Sequence, residues 1–205
     1  PGRGVDDGLE EGARLPERLG GAVELAHRKI VAACHRHDAS VPGVERQERA
    51  LELRVLVEQM IGEVEVIGPT RVADRADGRP IHHFLPVASF DDIDLGYETT
   101  EYSAKTYFLP YRENLCTYEF ADDDWQQEIR YRIQPRAIIG LHACDINALR
   151  KLDEVMVKSV YPNPYYFARR RNTIIIGLDH EPLDDCFCHS MHSNIAINGF
   201  DLFLT

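Results

Sequence analysis

Between residues 47 and 62, "QERALELRVLVEQMIG", apolar side chains return every three to four positions and stop at Gly62. That is the spacing of an amphipathic helix with one buried face. "AVELAHRKIVAACHRH" (22–37) repeats it through Val23, Leu25, Ala26, Ile30, Val31 and Cys34, and predicts another helix. Ahead of both, "PGRGVDDGLEEGARLPERLGG" mixes Gly, Pro and charge with almost no apolar periodicity, as expected of a flexible or only locally ordered lead-in. After Gly62 the period shortens. "EVEVIGP" (63–69) and "RPIHHFLPVAS" (79–89) are short apolar runs bounded by Gly and Pro, the pattern of strands and turns. "KTYFLPYRENL" (105–115) carries aromatic residues up to a proline, which cannot donate to a central ladder, so the segment is expected on the surface of the core.

The clearest pattern lies at 136–178. "RAIIGLHA" is a continuous apolar run, and in "CDINALRKLDEVMV" the residues Ile146, Leu149, Leu152, Val155 and Met156 share one helical face. Asp145 is the expected N-cap, its carboxylate accepting free backbone N–H bonds and favoured by the helix dipole. A Pro- and Tyr-rich loop, "YPNPYYFARRR", leads to "NTIIIGL", β-branched residues suited to a strand buried on both faces. Strand, helix, strand predicts a βαβ unit with a right-handed crossover and parallel pairing. The fold class is therefore α/β, a mixed or mostly parallel sheet with flanking helices. Residues 1–50 are expected to form a flexible or helical lead-in, and 51–205 an α/β domain with a cysteine-rich edge.

Charge narrows the function. The net charge of −11 and the pI near 5.2 argue against a phosphate-backbone partner, because nucleic-acid binding rests on clustered Lys and Arg. The basic runs "RYRIQPR" (130–136) and "ARRRN" (168–172) read as solvated strand or turn edges. No apolar stretch approaches the roughly 18 residues of a membrane helix. The five cysteines, 34, 116, 144, 186 and 188, come without a signal-peptide pattern, and a reduced, cytoplasmic setting is expected. There, clustered cysteines are metal-binding or catalytic more often than disulfide-bonded.

The βαβ reading puts Cys144 at the end of the first strand and "DHEPLDDCFCHSMHSN" directly after the second, so both leave the carboxyl edge of the sheet, where ligands collect. Cys144, His180, Cys186 and Cys188 can converge there. In an extended segment Cys186 and Cys188 face one way and Phe187 the other, into the core or over the site. Three thiols and one imidazole suit a tetrahedral zinc or an iron–sulfur cluster with one non-cysteine ligand, and local spacing does not separate the two. A redox pair, Cys144 resolved by Cys186 or Cys188, ranks below both. His189 and His192 read as polar loop residues supporting the ligands, His142 as a hydrogen-bonded core histidine, and Cys34 and Cys116 as packing. "DDIDLG" within "SFDDIDLG" reads as an acidic turn, and the EF-hand pattern is not met. No phosphate loop, G-x-G-x-x-G or G-x-S-x-G is present, so nothing marks a self-sufficient hydrolase or kinase.

"VIGP" (66–69), "KTYFLPYRENL", "AIIGLHACDINALRKLDEVM" (137–156), "YYFARRRNTIIIGL" (165–178), "CFCHSM" (186–191) and "GFDLFLT" (199–205) together resemble the N-terminal portion of the iron–sulfur electron-transfer (beta) subunit family of soluble sulfhydrogenases and anaerobic sulfite reductases. The resemblance runs from about residue 62 to the end. It implies a non-catalytic electron-transfer module of a multi-subunit cytoplasmic oxidoreductase of anaerobic metabolism. Its partners would be a flavin- and nicotinamide-binding subunit and a catalytic subunit. In that family the α/β portion precedes a ferredoxin-like segment with two 4Fe–4S clusters, which would begin where this chain stops. The family's C-D falls on Cys144 and Asp145 and its C-F-C on Cys186 and Cys188, while His180 stands where the family often has Cys. The expected cofactor is thus a 4Fe–4S cluster on Cys144, Cys186, Cys188 and His180, with zinc as the alternative. The competing reading is a zinc-stabilised or metal-free docking domain that uses the aromatic segments "YETTEYSAKTYFLPY" and "YPNPYYF" as contact surfaces.

Overall fold

A computed structural model describes residues 42–121, 124–131 and 133–204. The helix expected over 22–37, with Cys34, lies outside the described residues. Helix α1 (Pro42–Ile61) realises the predicted amphipathic helix, and β1 (Glu65–Asp74) and β2 (Pro80–Pro86) follow it as an antiparallel pair. A hairpin comes next, β3 (Cys116–Ala121) and β4 (Asp124–Ile129). Then come β5 (Arg136–His142), α2 (Ala143–Met156), α3 (Pro164–Arg171), β6 (Thr173–Leu178) and β7 (Leu202–Leu204).

The main sheet has the order β2-β1-β5-β6-β7, with every pair after β2 parallel. The α/β architecture and the βαβ unit expected at 136–178 are therefore present. Leu56, Val57 and Met60 of α1 pack on one face against Val66, Ala137, Ile139, Ile174 and Ile176. On the other face Ile146 and Leu149 of α2 and Tyr166 of α3 meet Ile138, Leu141 and Ile175. The run "TIIIG" supplies both cores at once, which is why β6 shows no polar alternation. Each isoleucine so buried contributes about 1.5–3 kcal/mol of transfer free energy.

Four expectations are corrected. The loop "YPNPYYFARRR" contains α3: the Asn163 side chain accepts from the N–H groups of Tyr165 and Tyr166, and Pro164 fills the first helical position, where a missing N–H costs nothing. The run "ARRRN" accordingly lies at a helix C-terminus, and Arg169 is buried, not solvated: it donates to the Phe108 carbonyl and pairs with Glu113. The N-cap of α2 is His142, without a side-chain cap bond, and Asp145 sits inside the first turn. Of the two aromatic segments proposed as contact surfaces, Tyr97, Phe108 and Tyr166 are core residues. The acidic turn "SFDDIDLG" is as read, closed by a capping box between Ser89 and Asp92.

Candidate cysteine site at the carboxyl edge of the sheet

Strand β5 carries a bulge before it ends. Its register against β6 slips between Ile139 and Leu141, and Gly140 takes φ 86°, a backbone conformation that side chains resist. The slip restores Leu141 to the α2 core and re-aims His142 at the sheet edge. The buried Tyr97 hydroxyl donates to the Gly140 carbonyl at 2.6 Å, and burial, with Asp145 and Cys144 nearby, raises its pKa.

A stack of three rings results. Tyr97 lies on His142 at 4.3 Å between centroids and 5° from parallel, and His142 lies on His180 at 3.9 Å and 8°. His142 is buried as expected, yet its Nε2 has no hydrogen-bond partner, so ring contact holds it and not the expected hydrogen bond. Burial and the adjacent His180 push its pKa down to about 4. The stack fixes His180 immediately after β6, beside the first turn of α2.

Cys144 and Cys188 lie near each other although 44 residues separate them in sequence: burial, Asp145 and Cys188 together push the Cys144 thiol up to about 12. Asp145, desolvated by burial, is pushed up to about 6. The loop reaches Cys144 because α2 holds it. Asn147, one turn after Cys144, donates to the carbonyls of Ser193 at 3.2 Å and Ile195 at 2.9 Å, and Ser193 in turn donates from its N–H and hydroxyl to the Cys188 carbonyl. His192 with φ 51° makes the turn between them. Sequence reading missed Asn147 and Tyr97, although the three-residue spacing from Cys144 to Asn147 on one helix face was available as a signal.

Cys186 joins Cys188 in lining a cleft of about 550 Å³ whose wall also holds Asp179, His180, Glu181 and His189. Both cysteines are half-buried while Phe187 between them is 77% exposed. The same-face reading holds, and of the two placements expected for Phe187, in the core or over the site, its exposure rules out the core. The geometry thus gathers Cys144 with Cys188, and Cys186, Cys188 and His180 along one cleft. Among the described residues no three His, Cys, Asp or Glu side chains stand close enough to hold a single ion. The donor chemistry nevertheless fits a thiolate-bound group: two neighbouring thiols, a third on the same cleft, and a stacked imidazole beside the partnerless buried Nε2 of His142. A bound cation would reverse the field that keeps Cys144 protonated. No helix among the described residues is long and apolar enough to cross a membrane.

Sulfhydrogenase 2 subunit beta of Pyrococcus furiosus is 32% identical to this chain over 133 residues, 61% of this chain and 37% of that protein. Over those residues the chain is similar to a sulfhydrogenase beta subunit. It spans little more than a third of that relative. No family model and no solved structure matches it. The motifs that carry the resemblance to the beta-subunit family fall on β1, the 105–115 segment, β5 with α2, α3 with β6, the cysteine loop and β7.

Proposed function

We propose that this chain is an electron-transfer module of a cytoplasmic, multi-subunit oxidoreductase of the hydrogenase type, with a 4Fe–4S cluster held by Cys144, Cys186, Cys188 and His180. The observation that carries this reading is the proximity of Cys144 to Cys188 at the carboxyl edge of the sheet, beside the cleft of Cys186 and His180. What such a cluster supplies when bound is a one-electron carrier. The protein's part is positional. The bulge at Gly140 and the Tyr97–His142–His180 stack orient His180, Asn147 holds the loop on α2, and β6 with α2 shields one side from water. The relative's printed name supports partner subunits, which would be the electron donor and acceptor.

The test is anaerobic reconstitution with iron and sulfide followed by a potentiometric titration. A reversible one-electron couple is expected, and His180→Cys should move it to a lower potential, because thiolate adds a negative charge that imidazole lacks. An unchanged potential would remove His180 from the ligand set, and the absence of any couple would end the electron-transfer reading.

A second reading, docking, rests on a separate observation. On one face of the β3–β4 ribbon Tyr118, Phe120, Trp125 and Ile129 are all exposed, and among the described residues no third strand pairs with the ribbon. An isolated two-stranded ribbon is marginal in water. Zinc-stabilised or metal-free, such a domain would bind its partner subunits with its iron removed, which a pull-down after chelation measures.

A further inference from the structure

The opposite end of β5 carries a second cleft that the cysteine site does not use. It holds about 1150 Å³ and is lined by Arg112, Arg130, Arg136 and Arg169, with Tyr107, Tyr111 and Tyr131 among the other walls. Its lining holds four guanidinium groups and one carboxylate, Glu113, and with Glu65 beside Arg136 and Glu128 beside Arg130 it still carries one more positive than negative group in a chain of net charge −11. Arg136 opens β5 and His142 closes it, so at about 3.3 Å per residue the two clefts stand roughly 20 Å apart. The carboxyl-edge rule of open α/β sheets does not account for a cleft at the amino edge.

The four arginines divide by role. Arg169 and Arg136 build the wall: Arg169 pairs with Glu113 and holds the Phe108 carbonyl, and Arg136 faces Glu65 at 3.2 Å and donates to the Tyr107 carbonyl. Both clamp the 105–113 segment onto the sheet. Arg112 is exposed and has no carboxylate partner among the described residues. Arg130 pairs only with Glu128, in full solvent, a contact worth little and easily exchanged for a better anion. Arg112 and Arg130 flank the foot of the β3–β4 ribbon, one before it and one after it, so they can close on one anion from two sides. Guanidinium forks match phosphate oxygens in pairs. Tyr111, 86% exposed, offers a ring face free to stack on a planar group, Tyr131 is held against the Tyr165 ring at 5.1 Å, and Asn114, Gln134 and Thr106 offer polar atoms for base and sugar edges.

We propose that this amino-edge cleft binds a nucleoside diphosphate, its phosphates between Arg112 and Arg130 and its base against Tyr111. Calorimetric titration of the full chain with ADP, adenosine and inorganic pyrophosphate tests it. ADP should bind one to one, more weakly as salt rises, with adenosine and pyrophosphate each at least tenfold weaker. Arg112→Glu and Arg130→Glu, both on solvent-facing positions and checked for an unchanged melting temperature, should each weaken ADP at least tenfold. Tyr111→Ala should weaken ADP and leave pyrophosphate unaltered. No heat at millimolar ADP, ADP binding that survives both charge reversals, or pyrophosphate binding as tightly as ADP would each overturn the assignment.

Discussion

Asn147→Ala isolates the contact that seats the cysteine loop on α2. The side chain makes two hydrogen bonds to loop carbonyls, at 3.2 Å to Ser193 and 2.9 Å to Ile195, and accepts a third from Arg150. Each bond to the loop is worth about 0.5–1.5 kcal/mol net, so the pair contributes about 1–3 kcal/mol. The loss should be mostly local, because the 179–201 connection is otherwise turns and bends outside both helices and the sheet. The opening equilibrium of the loop should rise roughly 5- to 150-fold, while the global melting temperature falls by only a few degrees, since about 1 kcal/mol is worth 2–4 °C in a domain of this size. Amide exchange reads this directly. The N–H groups of Met191, His192 and Ser193 bond to the carbonyls of Phe187, His189 and Cys188 and should lose protection by that factor. Exchange at these three amides within twofold of the wild type would refute the claim that Asn147 seats the loop.

Three further outcomes follow from the same geometry. In the metal-free chain Cys144, with its thiol pushed up to about 12, has a thiolate fraction of roughly 10⁻⁴ at pH 8 against roughly 0.2 for an ordinary thiol, so iodoacetamide should modify it about a thousandfold more slowly than a free peptide cysteine, and tenfold faster per pH unit gained; a peptide-like rate at pH 8 would contradict the buried placement. Gly177→Ala would place a Cβ 2.4 Å from the Phe203 ring and 2.8 Å from Ile146, an overpacking cost of about 1–3 kcal/mol by urea denaturation, and a neutral result would mean that β7 moves away freely. Arg169→Ala removes the buried partner of Glu113 and the donor to Phe108, and should cost about 3–5 kcal/mol in the same assay; less than about 1 kcal/mol would show that the 105–113 segment holds without it.

The sheet centre was legible because burial on both faces writes itself as uninterrupted apolar runs, and "AIIGL" and "TIIIGL" have no other economical reading. The convergence of Cys144 with Cys188 followed from topology alone, since parallel strands deliver their exits to one edge. What the pattern hid were local backbone choices. The slip at Gly140 moves the helix start to His142, so a carboxylate suited to capping ends up inside the first turn, desolvated. Helix α3 was concealed by its proline and tyrosines, although Asn163-Pro164 is a start signal. The ribbon β3–β4 was missed because Tyr118 and Phe120 alternate with Thr117, Glu119 and Ala121 over too short a run and no Gly marks the turn, while its register had to be seen to put both next to Trp125 and Ile129. The ring stack could not be read at all: it depends on the bulge and on Tyr97, 45 residues before His142.

The central claim is that Cys144 and the Cys186–Cys188 loop form one thiolate site for an iron–sulfur cluster. Iron and acid-labile sulfide, measured on anaerobically prepared wild type, Cys144→Ser and Cys116→Ser, test it most directly. About four iron and four sulfide per chain are expected in the wild type and in Cys116→Ser, with most of both lost in Cys144→Ser. A wild-type chain that carries zinc and no iron, or a Cys144→Ser chain that keeps its full iron, would contradict it.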